Sequence, residues 1–158
     1  DNIGSFHCSM FEITGEEPLL QVDTPDLIAD LLRKQSRVLM ETNGSIDIRS
    51  ADPRCVRIMD VNCPGSDEHE KCDLHNLKYL GERDQVKFVI GDRQYYEYAR
   101  DMLNRLPASI PSENRLFSPV REKLTPERLA EWILNDHLQT RLHLQLHKTI
   151  WPEIERGV

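Results

Sequence analysis

Three short runs of this chain collect residue types that bind small molecules. Thr14-Gly15-Glu16-Glu17-Pro18 sets a glycine and two carboxylates behind an apolar stretch. Exposed backbone there can grip an amino or carboxylate group. The same pattern serves as a strand-to-helix turn, with Gly at positive φ and Pro starting the next element, and spacing alone favours that turn. Glu41-Thr42-Asn43-Gly44-Ser45 offers a carboxylate, an amide and two hydroxyls around one glycine, a set suited to ribose hydroxyls. Asn-Gly is also a strong turn former, so both readings stay open. His143, Gln145 and His147 alternate, so on a strand they share one face that meets either a ligand or solvent, with Lys148 turned away.

Cysteines stand at 8, 55, 63 and 72, with no Cys-x-x-Cys pair. Cys63, His69, Cys72 and His75 carry zinc-type donors, but their five, two and two intervening residues match no common zinc arrangement. No metal ligands are assigned, and the histidines read as surface groups. Cys8 and Cys55 read as small buried hydrophobes at strand edges. Gly-x-Ser-x-Gly, a phosphate-binding glycine loop and a dinucleotide fingerprint are all missing, which disfavours the corresponding hydrolases, NTPases and dehydrogenases.

These clusters need a frame to position them. Short β-rich runs alternate with helical patterns along the chain, the signature of a parallel α/β layer structure. The pattern predicts strands over 10–13, 37–41, 56–61, 86–90, 114–117 and 140–145. Helices are expected over about 26–35, with Thr24 or Asp23 as cap and Leu27, Leu31 and Leu32 on one face, and over 94–106, with Tyr98, Met102 and Leu106 inward. A third opens at Thr125-Pro126 and runs to about 136, and a short helix spans 74–80. In such a sheet, ligands gather at the carboxyl ends of the strands. The polar runs after strands one, two, three and six all fall at those ends.

The chain has 158 residues, 39% hydrophobic and 30% charged, which predicts one domain over 1–158. Lys plus Arg number 20 against 27 Asp plus Glu, a formal charge of −7, which argues against nucleic acid and against an anionic membrane surface as partners. No apolar run approaches the roughly 20 residues of a membrane span, and the opening residues show no secretory pattern. With this cysteine usage, a reducing, cytoplasmic location is expected.

In order along the chain, the clusters resemble the 7-carboxy-7-deazaguanine synthase family of the queuosine pathway, within the radical S-adenosylmethionine superfamily. Ile13 to Gln21 looks like that family's TGGEPLLQ, Leu39 to Ser45 like its LETNG segment, Asp60 to Ser66 like DxKCPGS, and Val86 to Ile90 like VKFVI. Ser118-Pro119-Val120 and Gln145-Leu146-His147-Lys148 complete a likeness from about Met10 to Ile150.

The resemblance implies a partial (β/α) barrel binding S-adenosylmethionine at a [4Fe–4S] cluster. The family's radical lyase reaction contracts 6-carboxy-5,6,7,8-tetrahydropterin to 7-carboxy-7-deazaguanine with Mg²⁺. Carried over by position, Thr14 touches substrate and Gly15 and Glu16 hold the methionine moiety. Glu41, Asn43 and Asp60, Val61 and Asn62 lie along S-adenosylmethionine, and His147 sits near the substrate.

Three departures stand out. The family's Cys-x-x-x-Cys-x-x-Cys is absent, and the segment carrying it would precede Asp1, so the expectation is a truncated barrel that binds no cluster and is inactive as it stands. That the chain does not open on Met fits this expectation. Glu16 replaces the second glycine of the family's turn, and Asn62 replaces a lysine. The rival expectation is a non-catalytic α/β scaffold that binds a small molecule or pairs through an open sheet edge as a homodimer. A zinc module through Cys63 and Cys72 is a third.

Overall fold

In the computed structural model, residues 7–63, 72–146, 150 and 151 are described. Six strands lie side by side in chain order, all parallel. They are β1 (Met10–Ile13), β2 (Arg37–Thr42), β3 (Val56–Val61), β4 (Gln85–Ile90), β5 (Arg115–Pro119) and β6 (Arg141–Leu142). Parallel neighbours need crossovers, and three of the five carry a helix: α1 (Thr24–Arg33), α2 (Arg93–Met102) and α3 (Pro126–Asn135); among the described residues the β2–β3 and β3–β4 connections carry only the 3-10 segments Ile48–Ser50 and Leu74–Tyr79. The α/β class with a parallel sheet is therefore as the sequence predicts.

Alternation along each strand divides the side chains between two faces. On one, Val38 and Met40 pack with Ile28 and Leu31 of α1. Met59, Val61, Val86, Phe88, Ile90 and Phe117 continue that face and meet Tyr96, Ala99 and Met102 of α2 and Leu129 and Ile133 of α3. The opposite face carries Glu12, Glu41, Asp60 and Lys87, and there the polar chemistry collects.

Several local expectations are corrected. Strand β6 pairs over two residues rather than six. His143 N–H still donates to Phe117 O at 2.8 Å, but the next rung requires an N–H from Pro119, which has none. The buried stripe of α1 is Thr24, Ile28 and Leu31, with Leu27 exposed. Helix α2 buries Tyr96, Ala99 and Met102, then tightens into a 3-10 turn at Leu103–Arg105, leaving Tyr98 and Leu106 half-buried. The expected helix at 74–80 is a 3-10 segment, Leu74–Tyr79. Cys8 is exposed, because it precedes β1 at the edge of the sheet, whereas Cys55 is buried.

Candidate functional site

The site starts from three neighbouring strands. Register places Glu41 of β2 beside Ile58 of β3, and Asp60 of β3 beside Lys87 of β4, all on the face without helices. Lys87 Nζ lies 2.9 Å from Glu41 Oε1 and 3.1 Å from Asp60 Oδ1. Its side chain is only 4% exposed, against 30% for Glu41 and 26% for Asp60. An ammonium so buried requires paired charge, which the two flanking strands provide.

The two carboxylates respond in opposite directions. Burial pushes the Glu41 carboxyl up, but Lys87's charge and hydrogen bond, with a further bond from Thr14, outweigh it and leave the group below its ordinary range. Asp60 is buried more deeply. Desolvation drives it up to about 6, and Glu41's charge adds to the rise while Lys87 opposes it. Burial works to lower Lys87, yet both acids hold it above its usual range. His143 is lowered by burial first and by Lys87 and Arg141 next, so it favours the neutral form.

Above this triad, Thr14 Oγ1 donates to Glu41 Oε2 at 3.1 Å. Thr14 directly follows β1, and the turn after it is built for that position. Gly15 takes φ +130° and Glu16 φ +61°. Glu17 then folds inward: its Oε2 accepts from Thr42 Oγ1 at 2.6 Å and its Oε1 from Leu19 N at 3.1 Å. Thr42 Oγ1 also accepts from Gly44 N at 3.0 Å, so one buried carboxylate and one hydroxyl tie the loops after β1 and β2 together.

The second loop is fixed from the other side. Asn43 Oδ1 accepts from Ser45 N at 2.9 Å, and Gly44 stands at φ +72°. The left-handed φ favours glycine there, and a Cβ would fall 2.4 Å from Met59 Cε, so the end of the Met59 side chain would have to shift. Asn76, from the long β3–β4 connection, donates to the carbonyls of Gly44 and Ile46 and accepts from Ile48 N.

A cavity of about 260 Å³ opens on this face, with Glu12, Glu41, Gln85, Lys87, His143 and Gln145 in its lining. His143 and Gln145 thus share one cavity even though β6 ends at Leu142. Ser118, at the carboxyl end of β5, is 1% exposed, and its Oγ has no hydrogen-bond partner among the described residues.

Of the residues carried over by resemblance, Thr14, Glu41 and Asp60 converge through Lys87. Gly15 and Glu16 form the adjoining turn, and Asn43 lies two residues past Glu41. Val61 sends its side chain into the opposite core and can offer only backbone to this face. Asn62 follows β3 and is half-buried. His147 lies outside the described residues, as do His69 and the segment 64–71. Lys87 itself escaped assignment, although a lysine inside the apolar run Val86 to Ile90 signals that neighbouring strands must supply acids.

A [4Fe–4S] cluster does not fit the thiols present. Cys55 and Cys63 flank β3 at opposite ends and Cys8 precedes β1. Among the described residues no three His, Cys, Asp or Glu side chains group as a metal site. Burial also pushes Cys55 and Cys63 up to about 12.

No protein-family model matches the chain. A 7-carboxy-7-deazaguanine synthase from Koribacter versatilis is 36% identical over 162 residues, covering 94% of this chain and 72% of the relative. One from Chlorobaculum tepidum is 36% identical over 157 residues, covering 98% and 71%. The crystal structure of QueE from Escherichia coli matches with a TM-score of 0.70 at 19% identity, over 90% of this chain but 59% of that one. That likeness is one of fold, and the chain spans less than two thirds of that structure.

Proposed function

The chain belongs to the 7-carboxy-7-deazaguanine synthase family, and from that premise we propose that its open sheet face binds S-adenosylmethionine and the family's pterin substrate. The observation that carries this is Thr14 bonded to a Glu41 that Lys87 keeps ionised, at the carboxyl ends of adjacent strands. An ionised Glu41 accepts hydrogen bonds from ribose hydroxyls or an ammonium group. In this reading the turn at Gly15 and Glu16 presents backbone to the methionyl end, and Asn43, Asp60, Asn62 and the backbone of Val61 meet S-adenosylmethionine. The Ser118 hydroxyl, without a hydrogen-bond partner among the described residues, is a further polar group at the carboxyl ends of the strands. By the same likeness, Thr14 and His147 are assigned to the substrate.

S-adenosylmethionine supplies the family's radical chemistry only at a cluster. Since the cysteines of this chain do not form the family's triad, no radical step is assigned to it here. The chain as it stands is proposed to be inactive in ring contraction, and anaerobic iron and sulfide reconstitution is expected to leave no stoichiometric cluster. A second reading, a non-catalytic binding scaffold in a cytoplasmic homodimer, is favoured by Glu16, whose side chain stands where the family's glycine leaves room. Calorimetry with S-adenosylmethionine separates the two. Saturable binding, weakened tenfold or more in Glu41→Gln, supports the first. A flat titration up to about 1 mM, which bounds affinity near −4 kcal/mol, overturns it.

A further inference from the structure

Lys87 stands in the Val86 to Ile90 run of the family likeness without an assigned role, yet the ion pairs to Glu41 and to Asp60 both pass through it. It is the most deeply buried of the three charges, and it touches acids on both β2 and β3. We infer that Lys87 is the positioning residue of this site: held between Glu41 and Asp60, it fixes the orientation and charge of Glu41 and, through Glu41, makes Thr14 a hydrogen-bond acceptor toward the ligand.

The chain of causes is short. Lys87 Nζ occupies Glu41 Oε1, which leaves Oε2 to take the Thr14 hydroxyl proton. With that proton committed, Thr14 Oγ1 offers only lone pairs, and Glu41 offers only lone pairs. The rim of the site is therefore built of acceptors and selects ligand groups bearing N–H or O–H. Were Glu41 protonated, it would donate in its turn, and the polarity of the rim would be lost.

Other charges face the group as well. Glu12 of β1 lines the cavity, and His143 and Arg141 approach from the β6 side. The geometry thus sets Lys87 against Asp60 as neighbours of Glu41. Lys87 favours the ionised form of Glu41, whereas Asp60, raised to about 6, is already neutral where Glu41 titrates and leaves it unmoved.

That opposition is the test. Carbon-13 titration of the Glu41 side-chain carboxyl, assigned by Glu41→Gln, reads it directly in the unliganded protein. In Lys87→Met the Glu41 midpoint is expected to rise by about one pH unit or more, a tenfold change in proton affinity. In Asp60→Asn, as in Lys87→Arg, it is expected to stay near the parent value. A purely structural lysine would lower stability in Lys87→Met without moving the midpoint. An unmoved Glu41 in a folded Lys87→Met, or a rise in Asp60→Asn, overturns the inference. Should Lys87→Met fail to fold, Lys87→Met with Asp60→Asn removes one unpaired acid as well, and Glu41 must then titrate above the parent value. The inference rests on the ligand reading only in that the ligand meets Glu41. Absent S-adenosylmethionine binding in the parent protein would sink that reading and leave these titrations intact.

Discussion

Glu16 and Glu17 are adjacent and chemically alike, and the fold gives them opposite fates. Glu17 is 4% exposed and fastens two loops through Thr42. Glu16 is exposed at φ +61°, a left-handed conformation that costs a residue with a Cβ about 1–2 kcal/mol. Glycine avoids that cost but gives up about 0.5–1 kcal/mol in unfolded-chain entropy. Glu16→Gly is therefore expected to stabilise the protein by about 0.5–1 kcal/mol in urea unfolding. A loss of stability would show that the Glu16 side chain contributes more than its backbone costs. The sequence marks this turn well enough, because Gly and Pro punctuate it. It cannot say which glutamate turns inward, since the deciding partner, Thr42, stands 25 positions away.

Strands were readable wherever one face was apolar. Runs such as Val56–Val61 and Gln85–Ile90 carry the core side chains at alternate positions, and their bounds agree with the pattern to within one residue. The intervening positions were harder to read, because Asp60 and Lys87 make sense only once parallel register sets them side by side. β6 was misread for a related reason: its own alternation continues, but the missing N–H of Pro119 on the neighbouring strand ends the ladder. The buried acid has a consequence for stability. Asp60 titrates near 6 when folded and near 3.9 when unfolded, so between those values the folded protein holds more protons. Its contribution is fully present below about pH 4 and is lost as pH rises through 6, a change of about 2–3 kcal/mol before solvent screening. Glu41, lowered by Lys87, has the opposite sign and acts below the ordinary carboxylate range. Unfolding free energies at several pH values should decline across pH 4 to 6 more steeply in the parent than in Asp60→Asn. Equal slopes in the two proteins would place the Asp60 proton elsewhere.

Two opposing forces act on the molecule as a whole. Among the described residues β1 pairs only with β2, so its other edge presents backbone groups that a second copy can meet. Arg37 N–H donates to Ser9 O, which sets the phase of β1: the N–H groups of Met10 and Glu12 point to that outer edge. Met10 is 58% exposed there and adds apolar area. Against pairing stands the charge of −7 on each copy, which repels a like partner. Edge hydrogen bonds and apolar contact are barely screened by salt, whereas this repulsion is screened within about 10 Å at 0.1 M. Dimerisation through β1 should therefore tighten as salt is added, the reverse of an interface held by opposite charges. Sedimentation velocity at low and high sodium chloride reads the sign. Met10→Pro removes one outward donor and leaves the ladder to β2 intact, because proline is tolerated where an edge N–H faces outward. It is expected to shift the protein to monomer at every salt concentration while changing the unfolding free energy by less than about 1 kcal/mol. A dimer that loosens with salt, or that survives Met10→Pro unchanged, would assign the interface to another face.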